Sequence, residues 1–153
     1  MNRRTLLRAT AFVPAIGLLG CEGQTASQLA TDVNLITSGL TAAFAALKQI
    51  AGVPSAVLTQ IDFYVATIQA DAAKVATAVG TPATSTVQEI GQVVQALASI
   101  VLPLVPGGSV IEATIQAAVS LLPVILAAAG VSGAGVPVKY RPEQARAILA
   151  AFR

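Results

Sequence analysis

The chain has 153 residues, 55% of them hydrophobic and only 10% charged, so it either buries a large core or lies in lipid. Its formal net charge is +2, but three arginines fall within the first eight residues, and from Cys21 onward six basic residues face seven acidic ones. Such a near-neutral domain, with 4% aromatic residues, lacks the basic patches that bind phosphates, and we expect no nucleic-acid partner.

The first 20 residues have the three-part layout of a secretory signal peptide. Residues 1–8 contain three arginines and no acid, residues 9–20 are uncharged and mostly apolar, and the small Gly20 precedes Cys21. The apolar run is too short for a mature membrane-spanning helix. We therefore predict a helical signal peptide over residues 1–20.

The last four residues of this segment, Leu18-Leu19-Gly20-Cys21, resemble the lipobox of bacterial lipoprotein precursors. The resemblance implies that the Cys21 thiol receives a diacylglycerol, that cleavage follows on its N-terminal side, and that residues 21–28 form a tether. Cys21 is the only cysteine, so it has no disulfide partner and no metal-ligand set. Two alternatives remain, an ordinary secretory signal that contains a cysteine and an uncleaved anchor helix.

The segment from Asn2 to Arg8 also resembles the twin-arginine export motif, because Arg3 and Arg4 are followed by one free position and two apolar residues. Signals of the general secretory route often begin with two basic residues too, so both routes stay open. Glu22 rather than Asp follows the cysteine, which by resemblance to enterobacterial sorting favours the outer membrane over the inner membrane. We expect the mature protein on the periplasmic side of the cell envelope.

From residue 24 onward, apolar residues recur at alternating spacings of three and four, which predicts amphipathic helices. Glycine and proline separate four such runs, and no segment alternates with period two over a useful length. The fold class we predict is all-α, with residues 29–130 forming an antiparallel up-down four-helix bundle. The expected buried stripes are Leu29, Val33, Ile36, Leu40, Ala43, Leu47 and Ile50; Leu58, Ile61, Val65, Ile68, Ala72, Val75 and Val79; Val87, Ile90, Val94, Leu97, Val101 and Leu104; and Ile111, Ile115, Ala118, Leu122, Ile125 and Ala129.

Two helix starts have capping-box spacing. Thr86 precedes Glu89 and Ser109 precedes Glu112, each by three residues, so that a hydroxyl and a carboxylate can bind exposed backbone donors reciprocally. Pro103 and Pro123 predict a kink or a break in the third and fourth helices, since proline removes a backbone hydrogen bond.

The C-terminal residues 131–153 read as a linker followed by a short amphipathic helix over residues 142–152. We expect the apolar side of this helix to cap the bundle, with docking on a membrane surface as the alternative. That side carries Ala145, Ile148, Leu149 and Phe152, and the basic residues that favour the alternative are Lys139, Arg141 and Arg153.

The charges are unevenly distributed, which supports a competing interpretation. Between Ile90 and Val138, Glu112 is the only charged residue, so residues 90–130 suit a membrane-inserted hairpin of the kind found in holin-like or pore-forming proteins. Against this, the first of the two runs is short for about 30 Å of hydrocarbon, and both contain glutamines. We prefer the soluble bundle.

The chain contains no histidine, the usual catalytic base, and no Glu-x-x-His pair for a carboxylate metal site. Asp71 and Lys74 have the spacing of a solvated helix pair. Phe44, Phe63 and Tyr64 are candidates for an apolar pocket, although core packing suits them better. We therefore predict a non-enzymatic structural or binding protein without a cofactor other than its lipid, partnered with the membrane, and a protein partner stays open. A carrier whose kinked third and fourth helices open a cavity for lipid is a further alternative.

Overall fold

The computed structural model describes residues 26–78, 84–131, 136 and 138–152, and these contain five α-helices and no strand. The all-α prediction is therefore confirmed for this part of the chain, whereas the predicted signal peptide lies outside it. The helices are α1 (Ala26–Leu47), α2 (Ser55–Thr77), α3 (Thr84–Val101), α4 (Val110–Ala128) and α5 (Pro142–Ala151), and a 3₁₀ turn (Leu102–Leu104) follows α3.

The start of α4 agrees with the predicted cap, and the start of α3 does not. The Ser109 hydroxyl accepts a hydrogen bond from the Glu112 N–H at 3.2 Å, and the Glu112 carboxylate accepts one from the N–H of Gly108 instead of that of Ser109. Gly108 has φ +79°, which glycine adopts without strain. Helix α3 already begins at Thr84, so Thr86 lies inside its first turn and the capping box predicted with Glu89 is wrong.

The two helix-interior prolines have different effects. Near Pro103 the α-helix ends at Val101 and continues as a 3₁₀ turn, so the predicted break is present. Pro123, in contrast, lies within a helix that continues to Ala128, so the helix does not break there. A continuous helix shows that burial of α4 outweighs the loss of one backbone hydrogen bond.

The core matches the predicted stripes closely. All seven positions of the first stripe except half-buried Ile50 are buried, as are all six of the fourth. In the second stripe Ile61, Ile68 and Val75 are buried while the other described members are half-buried. Leu104 was wrongly predicted as core, because the 3₁₀ turn rotates it outward and leaves it 37% exposed.

Each of the first four helices packs on the next one, and α1 also packs on α4. Two side-chain contacts give the relative direction of α1 and α2. Lys48, just after α1, pairs with Asp62 at 2.6 Å, and Thr41 accepts a hydrogen bond from Gln69 at 3.3 Å, so residue numbers fall along α1 as they rise along α2. These two helices are therefore antiparallel.

Helix α5 packs on α1 and α4, with Ala145 and Leu149 fully buried and Phe152 half-buried. Its apolar face therefore packs against the other helices. The Lys139 ammonium lies 3.5 Å from the Glu112 carboxylate, so this basic residue is directed at α4.

Ser120 of α4 holds the segment that leads into α5. Its hydroxyl donates to the Gln116 carbonyl at 2.7 Å and accepts from the backbone N–H groups of Lys139 and Tyr140, both at 3.1 Å. Ser120→Ala should lower the free energy of unfolding by about 2 kcal/mol, because it leaves two donors without their acceptor. Urea denaturation would measure this loss. Ser99→Ala is the control, because the exposed Ser99 hydroxyl bonds only its own helix, and an equal loss for both variants would contradict the prediction.

Candidate functional site

The predicted modification site cannot be compared with the fold. Arg3, Arg4, Leu18, Leu19, Gly20 and Cys21 all lie outside the described residues. The first described helix begins at Ala26, five positions after the cysteine, and three before the first predicted core residue, Leu29.

An ion pair with two hydrogen bonds joins α1 to α5. Asp32, 2% exposed, receives two hydrogen bonds from Arg146: Nε lies 2.8 Å from Oδ1 and Nη2 lies 2.9 Å from Oδ2. The bond to Asp32 raises the pKa of Arg146 above its ordinary range, although burial acts in the opposite direction. The two residues are 114 positions apart in sequence, and their charge-assisted hydrogen bonds hold α5 against α1.

Asp71 of α2 is buried, and the prediction of a solvated pair with Lys74 is wrong in that respect. The carboxylate is 2% exposed, and the Lys74 ammonium, whose side chain is 63% exposed, donates to Oδ1 at 2.6 Å. Oδ2 has no hydrogen-bond partner among the described residues. The interaction raises the pKa of Lys74 above its ordinary value of 10.5, so it stabilises the fold at neutral pH and is lost as the pH rises through that raised pKa.

A groove of about 790 Å³ separates the N-terminal half of α1 from the C-terminal half of α2. Its walls carry small side chains, among them Ala30, Ala72 and Ala76. The hydroxyls of Thr31 and Thr37 in this groove donate to the carbonyl oxygens four residues earlier in their own helix. The hydroxyls of these two threonines are therefore already bonded within α1, and Asn34 and Gln69 supply further polar groups at the groove.

A second groove, of about 360 Å³, lies between α3 and α4, the helices in which a ligand cavity was predicted. It is lined by Gln95, Ala98 and Leu102 on one side and by Gln116 and Val119 on the other. Three apolar side chains and two amides suit a small apolar ligand with one polar end better than they suit a charged one.

The three aromatic residues proposed for an apolar pocket do not converge on one. Phe44 is buried in the core, Phe63 is 69% exposed, and Tyr64 is half-buried with its ring edge-on to Phe63 at 5.9 Å between centroids. Core packing is thus confirmed for Phe44 and wrong for Phe63.

Within the part of the chain that the structure describes, no three His, Cys, Asp or Glu side chains come close enough to hold a metal ion. The two buried carboxylates lie on different helices, and each pairs with its own basic side chain, Asp32 with Arg146 and Asp71 with Lys74. What the described residues do form is two grooves, one between α1 and α2 and one between α3 and α4.

Three helices are long and apolar enough to cross a membrane. They are α1, α3 together with its 3₁₀ turn, and α4, with mean hydropathies of 1.2, 1.3 and 1.9 over their most apolar windows. Leu104 and Val110, which flank the turn between α3 and α4, are exposed. The apolar composition predicted for the hairpin thus extends to α1 as well.

Comparison of the chain with protein-family models, with curated proteins and with solved structures finds no match in any of the three.

Proposed function

We propose that this protein is a lipid-anchored lipoprotein of the bacterial envelope, with a non-enzymatic structural or binding role. The observation that carries the proposal is the lipobox-like Leu18-Leu19-Gly20-Cys21, which contains the only cysteine and follows a basic and then an apolar segment. Two or three acyl chains on Cys21 would hold the domain almost permanently at a membrane.

The domain beyond the tether is proposed to be an antiparallel up-down bundle. Support comes from the sequential packing of α1 to α4, from the contact that closes α4 onto α1, and from the antiparallel order of α1 and α2. The hydrogen bond from the Thr84 hydroxyl to the Ala129 carbonyl, at 3.2 Å, places the start of α3 beside the end of α4, as this order requires. A bundle of this kind can present its grooves to a partner while the tether fixes it to the envelope.

The decisive experiment compares the wild-type chain with Cys21→Ser in a bacterium. We expect the wild type in the membrane fraction, with an intact mass equal to the chain from Cys21 onward plus acyl chains. We expect Cys21→Ser to lose the lipid and most of the membrane-bound protein, because no thiol is available to accept the diacylglycerol. Glu22→Gln, a change at the next position, is the control and should keep the lipid.

A second candidate function is a membrane-active protein that inserts α3 and α4, and the hydropathy of these two helices favours it. In this case Cys21→Ser would remain in the membrane fraction after an alkaline wash and would release dye from liposomes. Equal membrane binding by both forms, with residues 1–20 absent from both intact masses, would therefore overturn the lipoprotein proposal in favour of this one, whereas residues 1–20 retained in both would indicate an uncleaved anchor helix.

The groove between α3 and α4 supports a third candidate, a carrier of lipid or another apolar ligand. A carrier should co-purify with an extractable lipid, and Ala98→Trp, which fills the groove, should remove that lipid and leave the anchor on Cys21 intact.

A further inference from the structure

The outward side of α2 carries a second stripe of regularly spaced residues. Its inward side provides the buried Ile61, Ile68 and Val75, and the positions on the opposite side are exposed. The exposed positions recur at alternating spacings of three and four, and we call them the outer face: Ala56, Thr59, Phe63, Ala66, Ala70, Ala73 and Thr77. This spacing is that of a coiled-coil seam, maintained here over about three heptads. Helix α2 therefore has the periodicity of helix packing on two opposite sides.

The outer face offers few polar groups to solvent. The exposed stripe of α3, by comparison, is polar throughout and consists of Ser85, Gln88, Gln92, Gln95 and Ser99. On α2, the hydroxyls of Thr59 and Thr77 donate to carbonyl oxygens four residues earlier in the same helix, at 3.0 and 2.8 Å. Phe63 is 69% exposed, more than any other large hydrophobic residue that the structure describes. The outer face is thus uncharged and apolar, with one aromatic ring among small side chains.

The outer face is complementary in shape to a second copy of itself. When two such helices run antiparallel about a two-fold axis midway between Ala66 and Ala70, Phe63 of each copy lies opposite Ala73 of the other. Ala66 then lies opposite Ala70 of the other copy, and these small side chains allow the two backbones to approach closely. In a parallel pair Phe63 would meet Phe63, and the two rings would hold the alanines apart. The ring and the small residues that can receive it therefore occur at matching positions of one face.

The charges beside the outer face favour the same antiparallel order. Asp62 and Lys74 flank it near its two ends, and both side chains are exposed. An antiparallel pair places Asp62 of one copy level with Lys74 of the other, whereas a parallel pair places like charges level with each other. Charges separated by a Debye length of about 10 Å attract only weakly, so they select the orientation more than they add affinity.

The size of the outer face sets the strength of the contact. From Thr59 to Thr77 it is about 27 Å long at 1.5 Å per residue, and a helix is about 10 Å wide. A single pair of such helices buries less than the roughly 1,200 Å² at which standard interfaces begin, and contacts of this size are typical of transient complexes. We therefore expect a weak dimer whose population rises with concentration.

We propose that the outer face of α2 is the interface of an antiparallel homodimer, in which each Phe63 packs on Ala70 and Ala73 of the other copy. The dimer joins two bundles along α2, the helix on which only α1 and α3 pack extensively among the described helices. The inference goes beyond the lipid anchor, since this contact requires neither Cys21 nor a membrane.

Sedimentation equilibrium of the full chain, purified from a bacterium in mild detergent, tests the dimer. We expect a dimer fraction that rises with protein concentration. Phe63→Glu should raise the Kd by about a hundredfold or more, because a symmetric interface contains the substitution twice. Gln92→Glu is the matched control, since it adds the same charge at an exposed position of α3, and it should leave the Kd close to wild type. Both variants should keep the helical circular dichroism of the wild type, because both side chains are exposed.

Disulfide trapping tests the antiparallel order. Ala66→Cys and Ala70→Cys chains, mixed and mildly oxidised, should form a disulfide with each other, because these two positions are opposite in the dimer. Each variant alone should form little disulfide, since a residue and its own symmetry mate are offset along the pair and exceed the Cα separation of about 7 Å that a disulfide tolerates. The wild type gives the background from Cys21, the only natural thiol.

A chain that stays monomeric at every concentration would reject the proposal, as would a dimer whose Kd is the same in Phe63→Glu. Trapping of Ala66→Cys with itself as readily as with Ala70→Cys would reject the antiparallel order. A monomer whose binding to phosphatidylglycerol vesicles is weakened by Phe63→Glu would also reject it, with a bilayer as the occupant of the outer face. The intact mass reports the lipid on Cys21 separately, so a missing anchor would reject the lipoprotein proposal without affecting this one.

Discussion

Replacing Arg146 with alanine should lower the free energy of unfolding by about 3 kcal/mol, one of the two largest effects expected for a single substitution in this chain. The Asp32 carboxylate is 2% exposed, and the variant would lose both hydrogen bonds that the guanidinium donates to it. A buried charge whose cation is removed costs far more than the pair itself contributes. Urea denaturation followed by circular dichroism would give the loss, and proteolysis should cut α5 first.

Two further variants distinguish the contribution of the Asp32–Arg146 ion pair from that of the surrounding residues. Glu143→Ala, an exposed change on the same helix, should stay within about 0.5 kcal/mol of wild type. The double variant Asp32→Leu with Arg146→Met should recover most of the stability, because an apolar pair of similar volume leaves no unpaired charge. A loss of less than about 1 kcal/mol for Arg146→Ala would mean that packing by Leu149 and Ala145, and not the ion pair, holds α5.

The core was predictable because helical periodicity is a local property. A residue three or four positions from another apolar residue lies on the same helix face whatever that face meets, so the stripes could be read before the packing was known. Glycine and proline also act locally, and they marked the helix ends to within a few residues. The prediction that Leu104 is buried was wrong because the chain forms a 3₁₀ turn at Pro103, and a 3₁₀ turn has a different residue periodicity from an α-helix.

The buried charges were missed although a local signal for them exists. Asp32 lies three positions after Leu29 and four before Ile36, and Asp71 has the same spacing from Ile68 and Val75. Each aspartate therefore occupies a position of the apolar stripe, where burial is expected. What the sequence could not provide is the partner, because Arg146 follows Asp32 by 114 residues and the docking of α5 brings them together.

The grooves depend on arrangement more than on composition. Ala30 and Ala76 are ordinary helix residues in sequence, and they line a cavity because α1 and α2 meet with no large side chain between them. Gly39 is a second example. From the sequence it is only a residue of low helix propensity within α1, but in the fold it lies where α5 approaches closely. Such features require distances between helices, which periodicity does not contain.

Gly39→Val should destabilise the protein by about 3 kcal/mol because α5 occupies the space that a side chain would need. A Cβ atom at Gly39 would lie 2.6 Å from Cδ2 of Leu149, a fully buried residue, and 3.5 Å from the Thr114 methyl group. Valine adds two further methyl groups at this point, and either Leu149 or the whole of α5 must move. Thermal or urea unfolding would measure the loss, and Leu149→Ala in the same chain should restore part of it by removing the obstacle.

Gly91→Ala is the control because Gly91 is also buried within a helix, yet its Cβ would meet Leu126 at an ordinary contact distance of 3.5 Å. This variant should gain about 0.5–1 kcal/mol, since alanine loses less backbone entropy than glycine on folding. A lower free energy of unfolding for Gly39→Val and a higher one for Gly91→Ala would locate the tight contact at Gly39, between α1 and α5. If Gly39→Val is tolerated as well as Gly91→Ala, the Leu149 side chain moves aside at little cost; if Arg146→Ala also leaves the free energy of unfolding unchanged, α5 does not lie against α1 in solution.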